Sequence, residues 1–155
     1  MIDYLIINKN NIKELITNKI VKYNKNKKLE ILSDIKILKI NLKGITTLVC
    51  EYRNLKYLNI SKLNNLKKLC CDDNQLKELN LTNNINLKIL YCNTNPFKIL
   101  NLNNNNKIAC ICIEYDIILL SNNPNVYLKK YHKDKIMSNK KYNDYINELK
   151  DIDII

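Results

Sequence analysis

This 155-residue chain has no tryptophan, one glycine, one histidine, one phenylalanine and two prolines. Each scarcity excludes something. With one glycine there is no Gly-rich phosphate loop. Tight φ > 0 turns must then come from asparagine, which is abundant and tolerates the left-handed region. With His132 as the lone histidine, there is no His-based triad and no HExxH metal helix. Closely spaced CxxC pairs, the hallmark of zinc sites, are also absent. No stretch approaches the ~18 apolar residues of a membrane span, so no transmembrane segment is expected. The start "MIDYLIINKNN" lacks a basic n-region and a long apolar core. The six cysteines are therefore expected to be free thiols in a reducing, cytoplasmic compartment. No enzyme, cofactor or metal is expected.

What is present is apolar and basic. Hydrophobic residues make up 46%, dominated by Ile and Leu, which is enough for the core of one domain. Net charge is +11. It divides as +6 over residues 1–44, +3 over 45–118 and +2 over 119–155, from the Lys, Arg, Asp and Glu in each segment. Such a balance permits nucleic acid or an anionic membrane as partner. Asn, Lys and Ile codons are AT-rich, so compositional drift explains the excess equally well.

The chain repeats. At an offset of 21, "ITTLVCEYRNLKYLNISKLNN" (45–65), "LKKLCCDDNQLKELNLTNNIN" (66–86) and "LKILYCNTNPFKILNLNNNNK" (87–107) align. The first column reads Ile45, Leu66, Leu87; the fourth Leu48, Leu69, Leu90; the sixth Cys50, Cys71, Cys92; the ninth Arg53, Asn74, Asn95. Then follow Leu55, Leu76, Phe97; Leu58, Leu79, Leu100; and Ile60, Leu81, Leu102. Ile108, Ile111 and Ile113 begin a weaker fourth unit with Asp116 in the ninth column, and Ile35, Leu38 and Ile40 match upstream after a shift of 20. Period-two alternation at Leu69-x-Cys71 and Leu79-x-Leu81 predicts short strands. One coil cannot bury its Leu face alone, whereas a stack shares one core through parallel ladders.

The unit LxxLx(L/C)xxNxLxxLxL resembles the leucine-rich repeat family, in the 21-residue variety with a nested half-period. The Asn/Lys/Ile-rich text is similar to short repeat families of large DNA viruses or AT-rich bacteria; for a viral chain the cytoplasm would be the host's. The resemblance covers residues 35–118. It implies a scaffold for recognition and says little of the partner.

The expected fold is thus an α/β repeat: a short leucine-rich-repeat solenoid with parallel β ladders and amphipathic helical caps at both ends. Residues 1–34 form an N-terminal cap, 35–126 the solenoid and 127–155 a basic C-terminal cap. In the first cap, Ile12, Leu15, Ile16 and Ile20 share a helical face, with Asn10 or Asn11 as N-cap and 22–28 as a solvated loop. In the last, Tyr142, Tyr145, Ile146, Leu149 and Ile152 share one, with Ser138 as N-cap. Both would cover an open solenoid edge. The ninth-column Asn is expected to satisfy turn carbonyls and amides, which Arg53 and Asp116 cannot do in the same way. The ladder Asn59, Asn80, Asn101 is expected to bond between coils.

Columns three, five, seven and eight face outward. Cys50, Cys71 and Cys92 point in and pack like small hydrophobes; Cys70 and Cys112 fall in column five and are expected at the surface. Column seven reads Glu51, Asp72, Asn93, Glu114, with Tyr52, Tyr91 and Tyr115 close by. A basic chain would then present carboxylates and tyrosines on one sheet face, a surface suited to a basic, extended protein partner. The candidate partner-binding residues are Glu51, Tyr52, Asp72, Tyr91, Asn93, Glu114 and Tyr115. The alternatives are electrostatic binding of nucleic acid or anionic membrane through residues 19–28 and 129–141, and an adaptor role within a larger complex. Asp72 and Asp73 diverge at a turn, so they do not form an acid/base dyad, and the row Lys56, Lys77, Lys98 reads as a solvated face.

Overall fold

A computed structural model describes residues 1–113, 118–121 and 136–137. The chain winds as a β-solenoid of about 4 turns. Its elements are β1 (Ile2–Ile7), α1 (Ile12–Thr17), β2 (Val21–Tyr23), β3 (Lys28–Ile31), β4 (Ile35–Ile40), β5 (Thr47–Val49), β6 (Tyr57–Asn59), β7 (Lys68–Cys70), β8 (Ile89–Tyr91), β9 (Ile99–Asn101), β10 (Cys110–Cys112), β11 (Ile118–Leu120) and β12 (Ile136–Met137).

The coils give strands to two faces, with the coil 66–86 contributing only to the first. One face is a continuous six-stranded sheet in the order β10-β8-β7-β5-β3-β2. Its strands are parallel except β2, which closes the end antiparallel to β3. The register confirms the 21-residue spacing: Leu48 faces Leu69, and Leu69 faces Leu90. The shift of 20 upstream is also real, since Leu38 faces Leu58. The other face is split into β1-β4-β6 and β9-β11-β12. The break falls at 77–81, where Glu78 occupies the position held by Tyr57 and Ile99 in the adjoining coils. Tyr and Ile favour a pleated, half-buried surface and Glu does not. Between the faces, the columns of Leu and Ile form one core with Cys50, Cys71, Cys92 and Phe97.

The ninth-column asparagines hold the turns. Asn74 Nδ2 donates to the carbonyls of Cys50, Cys71 and Asp72 at 2.9–3.0 Å. Its Oδ1 accepts from the amides of Arg53 and Leu55 at 3.1 and 3.0 Å. Asn95 repeats this one coil on, donating to Cys71, Cys92 and Asn93 and accepting from Leu76. Arg53 rebuilds the turn: its Nε reaches Ile31 O at 2.7 Å, the bond Asn74 makes to Cys50. Its side chain has no acceptor, so the Ile35 amide bonds the Arg53 backbone carbonyl at 2.9 Å instead, and beside it Asn54 Nδ2 donates to Asp34 Oδ2 at 2.9 Å. A second buried ladder stands on the opposite turn. Asn84 Nδ2 donates to Ile60 and Leu63 carbonyls, and Asn105 Nδ2 to Leu81 and Asn84 carbonyls, at 3.0–3.1 Å.

Four expectations are corrected. First, the helical caps are not supported, the described residues being nearly all strand. The one helix among the described residues, α1, has 6 residues and ends at Lys19 (φ 54), where Ile20 N bonds Leu15 O and Lys19 N bonds Ile16 O. Leu15 is buried but Ile16 is 40% exposed, so the face Ile12/Leu15/Ile16/Ile20 is not presented as one stripe. Asn11 makes no side-chain cap; it is tied to Asn8 and the Ile6 carbonyl instead. At the N-terminal end β1 itself pairs with β4. At the other end β12 lies inside the expected helical cap and pairs with β11. The face Tyr142/Tyr145/Ile146/Leu149/Ile152, with Ser138, lies outside the described residues. Second, residues 22–28 are not a free loop but part of the β2–β3 hairpin.

Third, the ladder Asn59, Asn80, Asn101 does not bond between coils. Each Oδ1 accepts the amide two residues on, at Ser61, Thr82 and Asn103, because a local Asx turn competes well with any longer bond. Fourth, asparagine is not the general φ > 0 residue. Among the described residues the left-handed positions are Lys19, Lys27, Tyr52, Asn54, Asp73 and Thr94, with Gly44. Tyr52, Asp73 and Thr94 form the eighth column at φ 51–55. The Asn that follows Asp73 and Thr94 clamps the surrounding carbonyls, so tertiary bonds impose a conformation those residues do not favour.

Candidate functional site

The outward surface of the six-stranded sheet is set by register. Lys28, Thr47, Lys68, Ile89 and Cys110 form one row; Glu30, Val49, Cys70, Tyr91 and Cys112 form the next. Two residues further along each strand the chain turns at Glu51, Asp72 and Asn93 in the seventh column. The solenoid therefore places Glu51, Tyr52, Asp72, Tyr91 and Asn93 along one margin of one sheet. Glu114 and Tyr115 lie outside the described residues.

The margin is bonded from coil to coil. Asp72 Oδ1 accepts the Asn93 amide at 2.6 Å, and Asn93 Nδ2 points at Cys112 Sγ at 2.9 Å. Lys68 Nζ lies 5.1 Å from the centre of the Tyr91 ring, a cation–π contact. Tyr52 is 65% exposed, and a hydrogen bond with Asp73 raises its hydroxyl pKa. Among the described residues the ion pairs are Lys28–Glu30 and Lys36–Asp3, and neither involves Glu51, Asp72 or Asp73.

Cys70 is corrected: it is 4% exposed, not a surface thiol. The fifth column points out of the core, but Glu51 and neighbouring side chains close over it. Burial pushes its pKa up to about 12. Cys50, Cys71 and Cys92 lie in the core, and burial raises all three thiols. Neutral thiols of this kind are inert. All six cysteines are free, Cys110 and Cys112 being half-buried. Among the described residues no cluster of three His, Cys, Asp or Glu is placed to hold a metal ion.

Asp72 is the electrostatic outlier. Burial pushes its carboxyl up to about 6; the Asn93 amide pulls the other way, while Glu51 and Asp73 add to the rise. Its folded pKa exceeds the value of 3.8 for a free side chain. The resulting stability is fully present below about pH 4 and lost as pH rises through about 6. Asp72→Asn keeps an acceptor for the Asn93 amide and cannot ionise. It is expected to raise the unfolding free energy at neutral pH by on the order of 1 kcal/mol, the figure reduced for solvent screening. Urea titrations from about pH 4 to 8 should show the gap between variant and wild type closing as the pH falls.

Sequence reasoning missed three features: the burial of Cys70, the buried pair Asn84/Asn105, and the charge difference between the two turn edges. The last was legible. Between residues 35 and 113 the carboxylates are Glu51, Asp72, Asp73 and Glu78, none of them at the turns around 61–68, 82–89 or 103–110. No family model matches this chain, and no curated protein or solved structure is significantly similar to it.

Proposed function

We propose that the protein is a non-enzymatic recognition module of leucine-rich-repeat type, which binds a basic, extended protein segment along the Glu51–Asp72–Asn93 margin. The observation that carries this reading is a set of three neighbouring carboxylates, Glu51, Asp72 and Asp73, none of them in an ion pair among the described residues, on a chain of net charge +11. Keeping Asp72 ionised costs stability (its carboxyl sits at about 6), and a cation supplied by a partner would recover it. Tyr52 and Tyr91 flank the carboxylates and offer rigid, amphipathic area for the aliphatic stems of Lys or Arg. Free thiols fit a reducing, cytoplasmic setting, which belongs to the same proposal. No helix among the described residues is long and apolar enough to cross a membrane.

Titration of the full chain with a labelled, extended Lys/Arg-rich peptide tests the margin. Glu51→Lys with Asp72→Lys is expected to weaken binding by at least about tenfold, a loss of about 1.4 kcal/mol or more. Glu78→Lys, a carboxylate on the other face, should leave it nearly unchanged. Equal binding by all three proteins removes this margin as the site.

A further inference from the structure

Opposite the carboxylate margin, at the ends where the strands enter the six-stranded sheet, the turns form an edge of the opposite charge. Residues 24–28, 43–47, 61–68, 82–89 and 103–110 contain lysines and no Asp or Glu. Lys27, Lys67 and Lys88 stand in a single column. Backbone bonds fix that column: Thr46 N to Lys27 O at 3.0 Å, Lys67 N to Thr46 O at 2.8 Å and Lys88 N to Lys67 O at 2.8 Å. Coils about 4.8 Å apart put Lys27 and Lys88 ~14 Å from one another along the stack. All three side chains are exposed, and neither ion pair among the described residues involves them. Beside them runs an open groove of about 400 Å³ lined by Lys27, Gly44, Thr46, Asn65, Lys67 and Asn86. Asn65 adds a neutral amide donor to the charged ones, while the Asn86 amide is held by the Asn64 carbonyl at 2.9 Å.

The chemistry of this edge selects among polyanions. A membrane surface asks for several apolar side chains beside the lysines, and Ile85 is the one large exposed hydrophobe here. Base recognition asks for aromatic platforms or side chains set to read base edges, and these turns contain no Tyr, Phe or Trp. A phosphate backbone asks for neither. A nucleic-acid strand carries a charge every ~3.4 Å of duplex axis, so several phosphates fall within the span of the ladder. We propose that the lysine edge, with Lys27, Lys67 and Lys88 as its rungs, binds the phosphate backbone of nucleic acid without reading its bases.

The test is a titration of the full chain with labelled duplex oligonucleotides of two unrelated sequences over a salt series. The expected result is equal affinity for both sequences and a logarithmic loss of affinity with salt. Lys67→Glu with Lys88→Glu should cost at least about tenfold at low salt and lower the salt slope by about 2, one per phosphate contact removed. Lys56→Glu with Lys77→Glu makes the same change in net charge on the carboxylate side and should cost far less. Equal losses in the two double variants would mean that net charge and not this edge is responsible, and would overturn the proposal. No loss in either, a preference for one sequence, or Lys67/Lys88-dependent binding to phosphatidylserine vesicles in place of the oligonucleotide would overturn it too. None of these variants touches Glu51 or Asp72, so failure here leaves the carboxylate margin to stand or fall on its own test.

Discussion

Asn74→Ala is expected to lower the free energy of unfolding by about 3–5 kcal/mol, read as a fall in the urea midpoint at nearly constant slope. The side chain is 7% exposed and holds five backbone groups, two from its own coil and three from the one before: the carbonyls of Cys71 and Asp72, and the carbonyl of Cys50 with the amides of Arg53 and Leu55. Removing it strands three of them, the Cys50 carbonyl and the Arg53 and Leu55 amides, because the Cys71 carbonyl keeps its bond from Asn95 and the Asp72 carbonyl its bond from the Tyr52 amide. Each buried group left unpaired costs about 1–3 kcal/mol, and water entering the gap recovers part of the sum. Asn80→Ala is the internal control. Asn80 is exposed and bonds only the Thr82 amide, at 3.0 Å, so its loss should cost under about 1 kcal/mol. If the two variants unfold alike, the buried amide is not what fixes the turn.

That contrast also shows how far the fold was legible. Columns four, six, nine and eleven carry their meaning in residue type: Leu must be inside, and an Asn locked in register with Leu and Cys has a buried partner to find. Asn59 and Asn80 recur just as regularly, yet their bonds are local, because periodicity cannot distinguish a ladder from a repeated Asx turn. The N-terminal helical cap failed for a related reason. Ile12, Leu15, Ile16 and Ile20 have helical spacing, but a six-residue helix gains little by itself. The open end of a β-stack offers unpaired backbone groups, and β1 and β2 satisfy them as strands. The burial of Cys70 was beyond reach because it depends on how Glu51 and its other neighbours lie over it.

The acidic margin proposed as a site was legible as residues but not as electrostatics. Column seven announced Glu51, Asp72 and Asn93. Whether lysines on neighbouring coils would neutralise them depends on which turn each lysine occupies. Because the strands run parallel, every coil enters the six-stranded sheet at the same edge and leaves at the same edge. A bias in the repeat unit (Lys in column two, Asp or Glu in column seven) is therefore summed along the stack. In an antiparallel sheet the same residues would alternate between edges and cancel. The separation of a basic edge from an acidic margin is thus a consequence of solenoid topology acting on a weak sequence bias. Two partners of opposite charge could be held by one small protein without competing.

Phe97 puts the register itself under test. It is 2% exposed and stands in the column occupied by Leu55 and Leu76 in the preceding coils, both fully buried. Phe97→Leu gives this coil the residue its neighbours already use and should cost under about 1.5 kcal/mol. Phe97→Ala leaves a cavity that the flanking ladders, tied by Asn95 on one side and Asn105 on the other, cannot collapse to fill; the expected loss is about 3–5 kcal/mol. In a stack stabilised by nearest-neighbour interfaces the damage should also be local at first. Hydrogen exchange should quicken in β8, β9 and β10 before it does in β4 or β5. A uniform loss of protection along the chain would mean that the coils unfold as one unit, and that the additive picture of the repeat is wrong for a solenoid this short.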